Sequence, residues 1–328
     1  MVDERFGELH LNNSRPPVGI GIPVFNGENY LSEAINSVLD QSYADLEVFI
    51  CDNASTDKTE DICREFARKD PRIHYVRNTE NIGAAKNYDL VWHQSENTFF
   101  KWLAHDDRLL PNFIEQTVEV LEADSSIILC NGIVDYIDEH GEHMGYYRSV
   151  IRDADNDDPA ARFAAIILRM HTCVDFFGMI KREFMVGSLL HQAYRGSDRA
   201  FLAQMALRGR FYQVASPLVQ MRQHPNQYSK MKNVRQQLAW QDPDRERIQE
   251  VAVLRLYKVY KELVASEVLS ETDRNACRNV LRRFWFQSWP IPRLAAELLS
   301  IPFPSASSIF RSLAIKLKLA GSPDDLDT

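Results

Sequence analysis

The strongest constraint on this chain is the rhythm of its first hundred residues. Short apolar, β-rich runs alternate with segments of helical spacing, and each apolar run ends in a polar loop. The runs are Val18–Val24, Leu46–Cys51, Arg72–Arg77 and Thr98–Leu103. They read as strands of a buried sheet. Between them, Tyr30–Gln41, Thr59–Lys69 and Gly83–His93 read as helices, the first with Leu31, Ile35, Val38 and Leu39 on one face. This alternation predicts βαβ units: an α/β fold with a Rossmann-like, mostly parallel central sheet flanked by helices. In such sheets ligands bind at the carboxyl ends of the strands. Three loops therefore become site candidates: Phe25-Asn26, Asp52 to Asp57, and His105-Asp106-Asp107.

The later sequence is less regular. Ile127–Cys130 and Phe211–Val214 read as strands, Ala160–Met170 and Arg199–Arg208 as helices. From about 245 the chain reads as helical, with Ile248, Val251, Leu254, Leu256 and Val259 on an apolar face. The expected organisation is a mobile leader over 1–16, a sheet domain over 17–240 and a helical extension over 241–328. A length of 328 residues accommodates that division.

Composition removes several classes. With 38 basic and 46 acidic residues the net charge is −8, which argues against a nucleic-acid partner. The five cysteines include no CxxC pair, so neither a disulfide framework nor a thiolate zinc site is expected. A reducing, cytoplasmic setting follows. The first residues lack the apolar core of a secretory signal. The longest apolar stretch, Leu294–Ile315, is broken by Glu297, Pro302, Pro304 and Arg311, so no spanning helix is expected.

Four clusters carry chemistry. Asp106 and Asp107 follow a strand and offer oxygen ligands suited to Mg²⁺ or Mn²⁺. The competing reading is a cap for the helix at Pro111–Leu121. Asp52 follows an apolar strand and suits a hydrogen bond to a base or ribose, whereas Ser55, Thr56 and Asp57 are natural helix caps. Asp198, in Gly196-Ser-Asp-Arg199, is either a cap or a base. Arg222-Gln-His224 offers a phosphate partner and a metal-ligating imidazole. No GxGxxG follows a strand, since Gly19-Ile20-Gly21 lies within one. No GxxxxGK[ST] and no GxSxG occurs.

Taken in order, Val18-Gly-Ile-Gly-Ile-Pro-Val-Phe-Asn26, Asp52-Asn-Ala-Ser-Thr-Asp57, Asn81-Ile-Gly-Ala-Ala-Lys-Asn87, Ala104-His-Asp-Asp107 and Pro111 resemble family-2 glycosyltransferases of the GT-A fold. Weaker matches follow at Phe177–Arg182, Ser197-Asp198 and Arg222–His224, so the resemblance covers about 17–230. It implies transfer of a sugar from a nucleotide-diphosphate donor, UDP-linked in the first instance, to an acceptor hydroxyl on a glycan or lipid-linked carrier. It further implies that Pro23, Phe25 and Asn26 flank the base and that Asp52 bonds its edge. Asn81, Gly83 and Lys86 would line the diphosphate. Asp106 would contact ribose, Asp106 and Asp107 would hold a divalent metal (Mn²⁺ or Mg²⁺) with His224 close by, and Asp198 would be the general base of an inverting displacement. The absence of QxxRW points to a non-processive enzyme. One position departs: Ala104 stands where the family commonly has the first carboxylate of Asp-x-Asp-Asp. That departure motivates the alternative of a nucleotide-sugar-binding protein without catalysis.

Residues 274–318 hold eight basic side chains against one acid, Glu297, interleaved with Phe284, Trp285, Phe286, Trp289, Phe303 and Phe310. Such a segment suits peripheral contact with an anionic membrane surface. The alternative is a helical cap packed on the sheet domain or on a second copy in a homodimer.

Overall fold

The computed structural model describes residues 15–231, 234–245, 251–287 and 290–300. The first half follows the expected rhythm: β1 (Val18–Val24), α1 (Leu31–Leu39), β2 (Leu46–Asp52), α2 (Thr59–Lys69), β3 (Ile73–Arg77), α3 (Ala84–Gln94) and β4 (Phe99–Trp102). β1 is buried along its whole length, as a central parallel strand must be. It pairs in parallel with β2 on one side and β4 on the other, and β3 extends the sheet beyond β2. Two glycines let β1 lie this close to its neighbours. A Cβ at Gly19 would fall 2.2 Å from Ser95 Oγ, and one at Gly21 2.7 Å from the Phe100 ring.

The second half comprises β5 (Arg108–Leu109), α4 (Phe113–Ala123), β6 (Ile127–Ile137), β7 (His143–Tyr147), α5 (Pro159–Ile167), β8 (Met179–Lys181), α6 (Arg182–Met185), α7 (Ser197–Arg208) and β9 (Arg210–Arg222). The strand order is β3-β2-β1-β4-β8-β6-β9-β5, with β7 paired to β6. β8 runs antiparallel between β4 and β6, while β6 and β9 are parallel. The strands expected at 127–130 and 211–214 are only the starts of β6 and β9. Register shifts near Asn131 and Ile133 break the alternation that sequence patterning depends on, yet the ladder continues past them.

Four further helices follow: α8 (Val234–Gln241), α9 (Ala252–Ser266), α10 (Glu271–Phe284) and α11 (Pro290–Ser300). Leu256 and Val259 are buried as expected, but Leu254 is exposed, and Tyr260, Leu263 and Val264 complete the apolar face. Ile248 lies outside the described residues. The sheet carries an apolar layer on each face. α1 and α4 cover one; α3, α5, α7, α9 and α10 cover the other in a continuous cluster.

The described part of 274–318 is a helical cap. Arg274 donates to the carbonyls of Val264 and Ala265, closing the end of α9. Phe284 is fully buried against Tyr257 and Tyr260, and Trp285 leans on Tyr257. Phe286 is exposed. Trp289, Phe303, Phe310, Arg311, Lys316 and Lys318 lie outside the described residues, as do residues 1–14 of the expected leader. Among the described residues no helix is long and apolar enough to cross a membrane.

Candidate functional site

The loops after β1 and β2 are laced together. The Asn26 amide donates to Ser55 Oγ (2.9 Å), the Gly27 amide to Thr59 Oγ1 (2.8 Å) and the Glu28 amide to Asp57 Oδ2 (3.0 Å). In return the Thr56 amide donates to Asn26 Oδ1 (2.8 Å). Asn26 and Ala54 adopt left-handed backbone, φ 53° and 62°, a conformation that L-residues rarely hold without such support. Of the expected caps, only Asp57 bonds the start of α2, accepting the Thr59 amide at 3.0 Å. Ser55 and Thr56 serve the neighbouring loop instead.

Asp52 sits at the end of β2 with no exposed surface. Its Oδ1 accepts the Ser55 amide (2.8 Å); its Oδ2 accepts the Tyr75 hydroxyl (2.9 Å) and pairs with Arg77 Nε (3.3 Å). In this arrangement both oxygens fix the loop. Burial, then the bond to Asp52, push the Tyr75 hydroxyl far above its ordinary pKa and keep it a donor. Pro23 is buried in β1, and Phe25 stands on the rim.

A network of neutral amides shapes the next turn. Asn53 Oδ1 accepts from Asn78 Nδ2 (3.1 Å) and from the Ile82 amide (2.9 Å). Asn53 Nδ2 donates to Asn81 Oδ1 (2.9 Å), which also accepts the Gly83 amide (2.9 Å). Asn87, almost fully buried, donates to the Cys51 carbonyl (2.8 Å) and accepts from Asn78 (3.1 Å). Asn81, Gly83 and Lys86 are thereby gathered at the start of α3, as expected.

The acidic loop after β4 is built differently. Asp106 Oδ2 lies 2.9 Å from His224 Nε2, joining two positions 118 residues apart. Burial pushes the Asp106 carboxyl up, but the His224 hydrogen bond and the charges of His105 and His224 outweigh it and hold it below the ordinary value. Asp107 turns elsewhere. Its Oδ1 accepts the Arg222 amide (2.9 Å). Burial and the Asp106 charge drive its carboxyl well above the ordinary value, against the pull of Arg222 and Lys101. Asp107 is not the cap of α4, whose N-cap is Asn112. Nor does it join Asp106 and His224: among the described residues no group of three His, Cys, Asp or Glu side chains is placed to hold a metal. The buried guanidinium of Arg222 donates to the carbonyls of Asp106, Asp138 and Glu139, pairs with Glu33 at 2.7 Å and stacks over Tyr30. It braces the loop.

Behind the loop, Lys101 is fully buried in β4, donating to the Phe177 carbonyl with its ammonium 4.6 Å from the centre of the Phe113 ring. Burial lowers its pKa to about 7, against the charges of Asp107 and Asp175. Asp175, bonded to Asn131 and Ser149, is pushed up to about 6 by burial.

Asp198 lies in the first turn of α7, after Gly196 in left-handed backbone. It accepts the Arg199 amide (2.8 Å), and burial, then the Asp198 charge, push the Cys173 thiol well above its ordinary value. Arg199, buried, reaches back to the carbonyls of Ile166, Arg169 and His171 and so holds the loop beneath Asp198. Burial first, then the charges of Asp106, Asp107 and Asp198, raise the Tyr88 hydroxyl far above the ordinary value. His191 stacks on Tyr88 at 4.8 Å, and burial lowers its pKa to about 4.

Sequence reasoning missed Lys101, Arg199, Tyr88 and His191. Lys101 did leave a signal, a lone cation in the apolar run Phe99-Phe-Lys-Trp-Leu103. The others depend on contacts between distant segments.

The sheet, with its acidic loop after β4 and polar loops after β1 and β2, defines a GT-A-type glycosyltransferase fold. The Glycosyl transferase family 2 model matches residues 20–185, and the chain belongs to that family. TuaG of Bacillus subtilis, provisionally named a teichuronic acid biosynthesis glycosyltransferase, is 32% identical over 111 residues, 34% of this chain and 44% of that one. The chain spans about a fifth to a half of the length of the curated relatives it matches. Among solved structures, Staphylococcus aureus TarS 1–349 in complex with UDP-GlcNAc superposes with a TM-score of 0.59 at 15% identity, covering 93% of this chain and 81% of that one. The Pyrobaculum calidifontis mannosyltransferase PcManGT, in complex with GDP-Man and Mn²⁺, gives 0.51 at 16% identity over the same shares.

Proposed function

We infer that this glycosyltransferase moves a sugar from a nucleotide-diphosphate donor, UDP-linked in the first instance, to a hydroxyl on a glycan or lipid-linked acceptor in glycan assembly. The observations that support this are the match to the family over residues 20–185 and the Asp106–His224 pair, which brings the loop after β4 and the end of β9 together at 2.9 Å. Phe25 and Asn26 border the base, and Asn81, Gly83 and Lys86 border the diphosphate.

The Asp106–His224 pair fits a divalent ion. Asp106 and His224, brought within 2.9 Å of each other, are the residues that would hold it. Carboxylate and imidazole together suit Mn²⁺ or Mg²⁺. When bound, the ion neutralises charge on the leaving diphosphate. Asp198 takes the proton of the acceptor hydroxyl as its oxygen attacks the anomeric carbon. The bond to the diphosphate breaks in the same displacement, which inverts that carbon. Lys86 meets the leaving group.

Nucleoside diphosphate release is the test, measured with Mn²⁺ and UDP-, GDP- and dTDP-sugars. Release from one nucleotide class, stimulated by acceptor in the wild type and not in Asp198→Asn, is expected. Donor binding without any release would instead favour the non-catalytic alternative motivated by Ala104.

A further inference from the structure

The turn that leads into α3 is covered by the chain itself. Residues 241–243, at the end of α8, lie directly on Gly83. A Cβ at that glycine would fall 2.5 Å from the Gln241 carbonyl oxygen and 2.8 Å from Asp242 Cα. Gly83 also has φ 85°, so the position needs glycine on two counts. This strap is anchored. The Asp242 amide donates to the Leu238 carbonyl (2.9 Å), and Trp240 lies 4.5 Å from Tyr228, ring to ring. Gln241 is almost fully buried, yet its Oε1 has no hydrogen-bond partner. At the same place the Asp242 carboxylate stands 3.6 Å from Lys86 Nζ. No side chain caps the start of α3.

An uncapped helix start with a lysine on its first turn attracts anions. Building on the donor reading above, the geometry points to Asp242 as an internal competitor: its carboxylate holds Lys86 and the strap over Gly83 until a diphosphate takes the lysine from it. The pair is partly exposed, Lys86 by 55%, so it is weak enough to exchange. A diphosphate offers more charge and more acceptor oxygens than one carboxylate. Once Lys86 has changed partner, the strap loses its ion pair to α3 and keeps its packing and its local bonds, the Asp242 amide to the Leu238 carbonyl and the Asp244 amide to Asp242 Oδ1 (3.2 Å).

The probe is inorganic pyrophosphate with Mg²⁺, which needs neither the correct base nor the correct sugar. Its affinity is measured calorimetrically on the full chain, on Asp242→Asn, on Lys86→Gln and on the double variant. Amide exchange of peptides spanning 234–245 is followed in parallel. Asp242→Asn is expected to bind pyrophosphate about two- to fivefold more tightly. The same change in the Lys86→Gln background is expected to do nothing, and pyrophosphate is expected to speed exchange over 238–243 in the wild type. An unchanged or weaker affinity in Asp242→Asn, or an equal gain without Lys86, overturns the proposal. So does strap exchange that pyrophosphate leaves unaltered. UDP serves as a separate arm. If it binds no better than pyrophosphate, the nucleotide-donor reading fails while the competition stands.

Discussion

The two halves of the candidate site are built from different chemistry. On the β1–β3 side, apart from Asp57 at the start of α2, the loops are held by neutral amides, hydroxyls and backbone: Asn26 with Ser55 and Thr56, Asn53 with Asn78 and Asn81, and Asn78 with Asn87. The one buried carboxylate there, Asp52, is matched by Arg77 and Tyr75. On the β4–β9 side, ionisable groups crowd together with little water: Asp106, Asp107, Lys101, Asp175, Asp198 and His191. Neutral networks hold a shape that does not change with pH. Buried titratable groups cost stability, but their charge responds to a ligand, and chemistry needs that response. Under the function proposed above, one side recognises a form and the other carries out proton and charge transfer.

Asp198→Asn offers the largest way to break the comparison. A carboxamide of the same size preserves packing but cannot take a proton. Transfer is expected to fall by about 10²- to 10⁴-fold, with donor affinity and thermal stability near wild type. Loss of donor binding in that variant would move Asp198 to the recognition side. Asn87→Ala should act in the opposite sense. It removes the side-chain bonds to the Cys51 carbonyl and to Asn78 and is expected to cost about 1–3 kcal/mol in urea unfolding. That loss should be the same across pH 6–9, since no group in the network titrates there. A loss that varied steeply with pH would deny the neutral character of this side.

Lys101→Met tests a single buried charge. Folded Lys101 loses its proton near pH 7, whereas the unfolded side chain keeps it to about 10.4. Between those limits the unfolded chain binds more protons, so this residue makes stability rise with pH. The difference in unfolding free energy between wild type and Lys101→Met should therefore grow in favour of wild type from pH 7 toward 10. Parallel curves would show that Lys101 keeps its proton when folded.

The same division governs what the sequence discloses. β1 to β4 and their helices are local: each strand is a short buried run with one period, and each site loop begins where the run ends. Asn81, Gly83 and Lys86 are legible for the same reason, being one turn and one helix start. The other side is assembled from distance. Asp106 meets His224 across 118 residues, and Asp107 meets the Arg222 amide across 115. The residue types were readable there, but the partners were not. The bonds that Asp107 and Arg222 make to each other and to the loop carbonyls join segments that no local pattern connects. β5 and β8 have two and three residues, too few for a period. The aromatics Phe284 and Trp285 looked like a membrane face until the packing of α10 on α5 and α9 gave them a core.

The account rests most on the Asp106–His224 pair as the place where a donor diphosphate is held with a divalent ion. The most direct measurement is thermal unfolding with Mn²⁺ plus UDP-, GDP- and dTDP-sugars, on wild type, Asp106→Ala and His224→Ala. A ligand at a hundredfold excess over its dissociation constant stabilises by about 2.7 kcal/mol. The account predicts a shift of that order with one nucleotide class, present only with metal and lost in both variants. A shift that persists without Mn²⁺, or that survives Asp106→Ala, would contradict it.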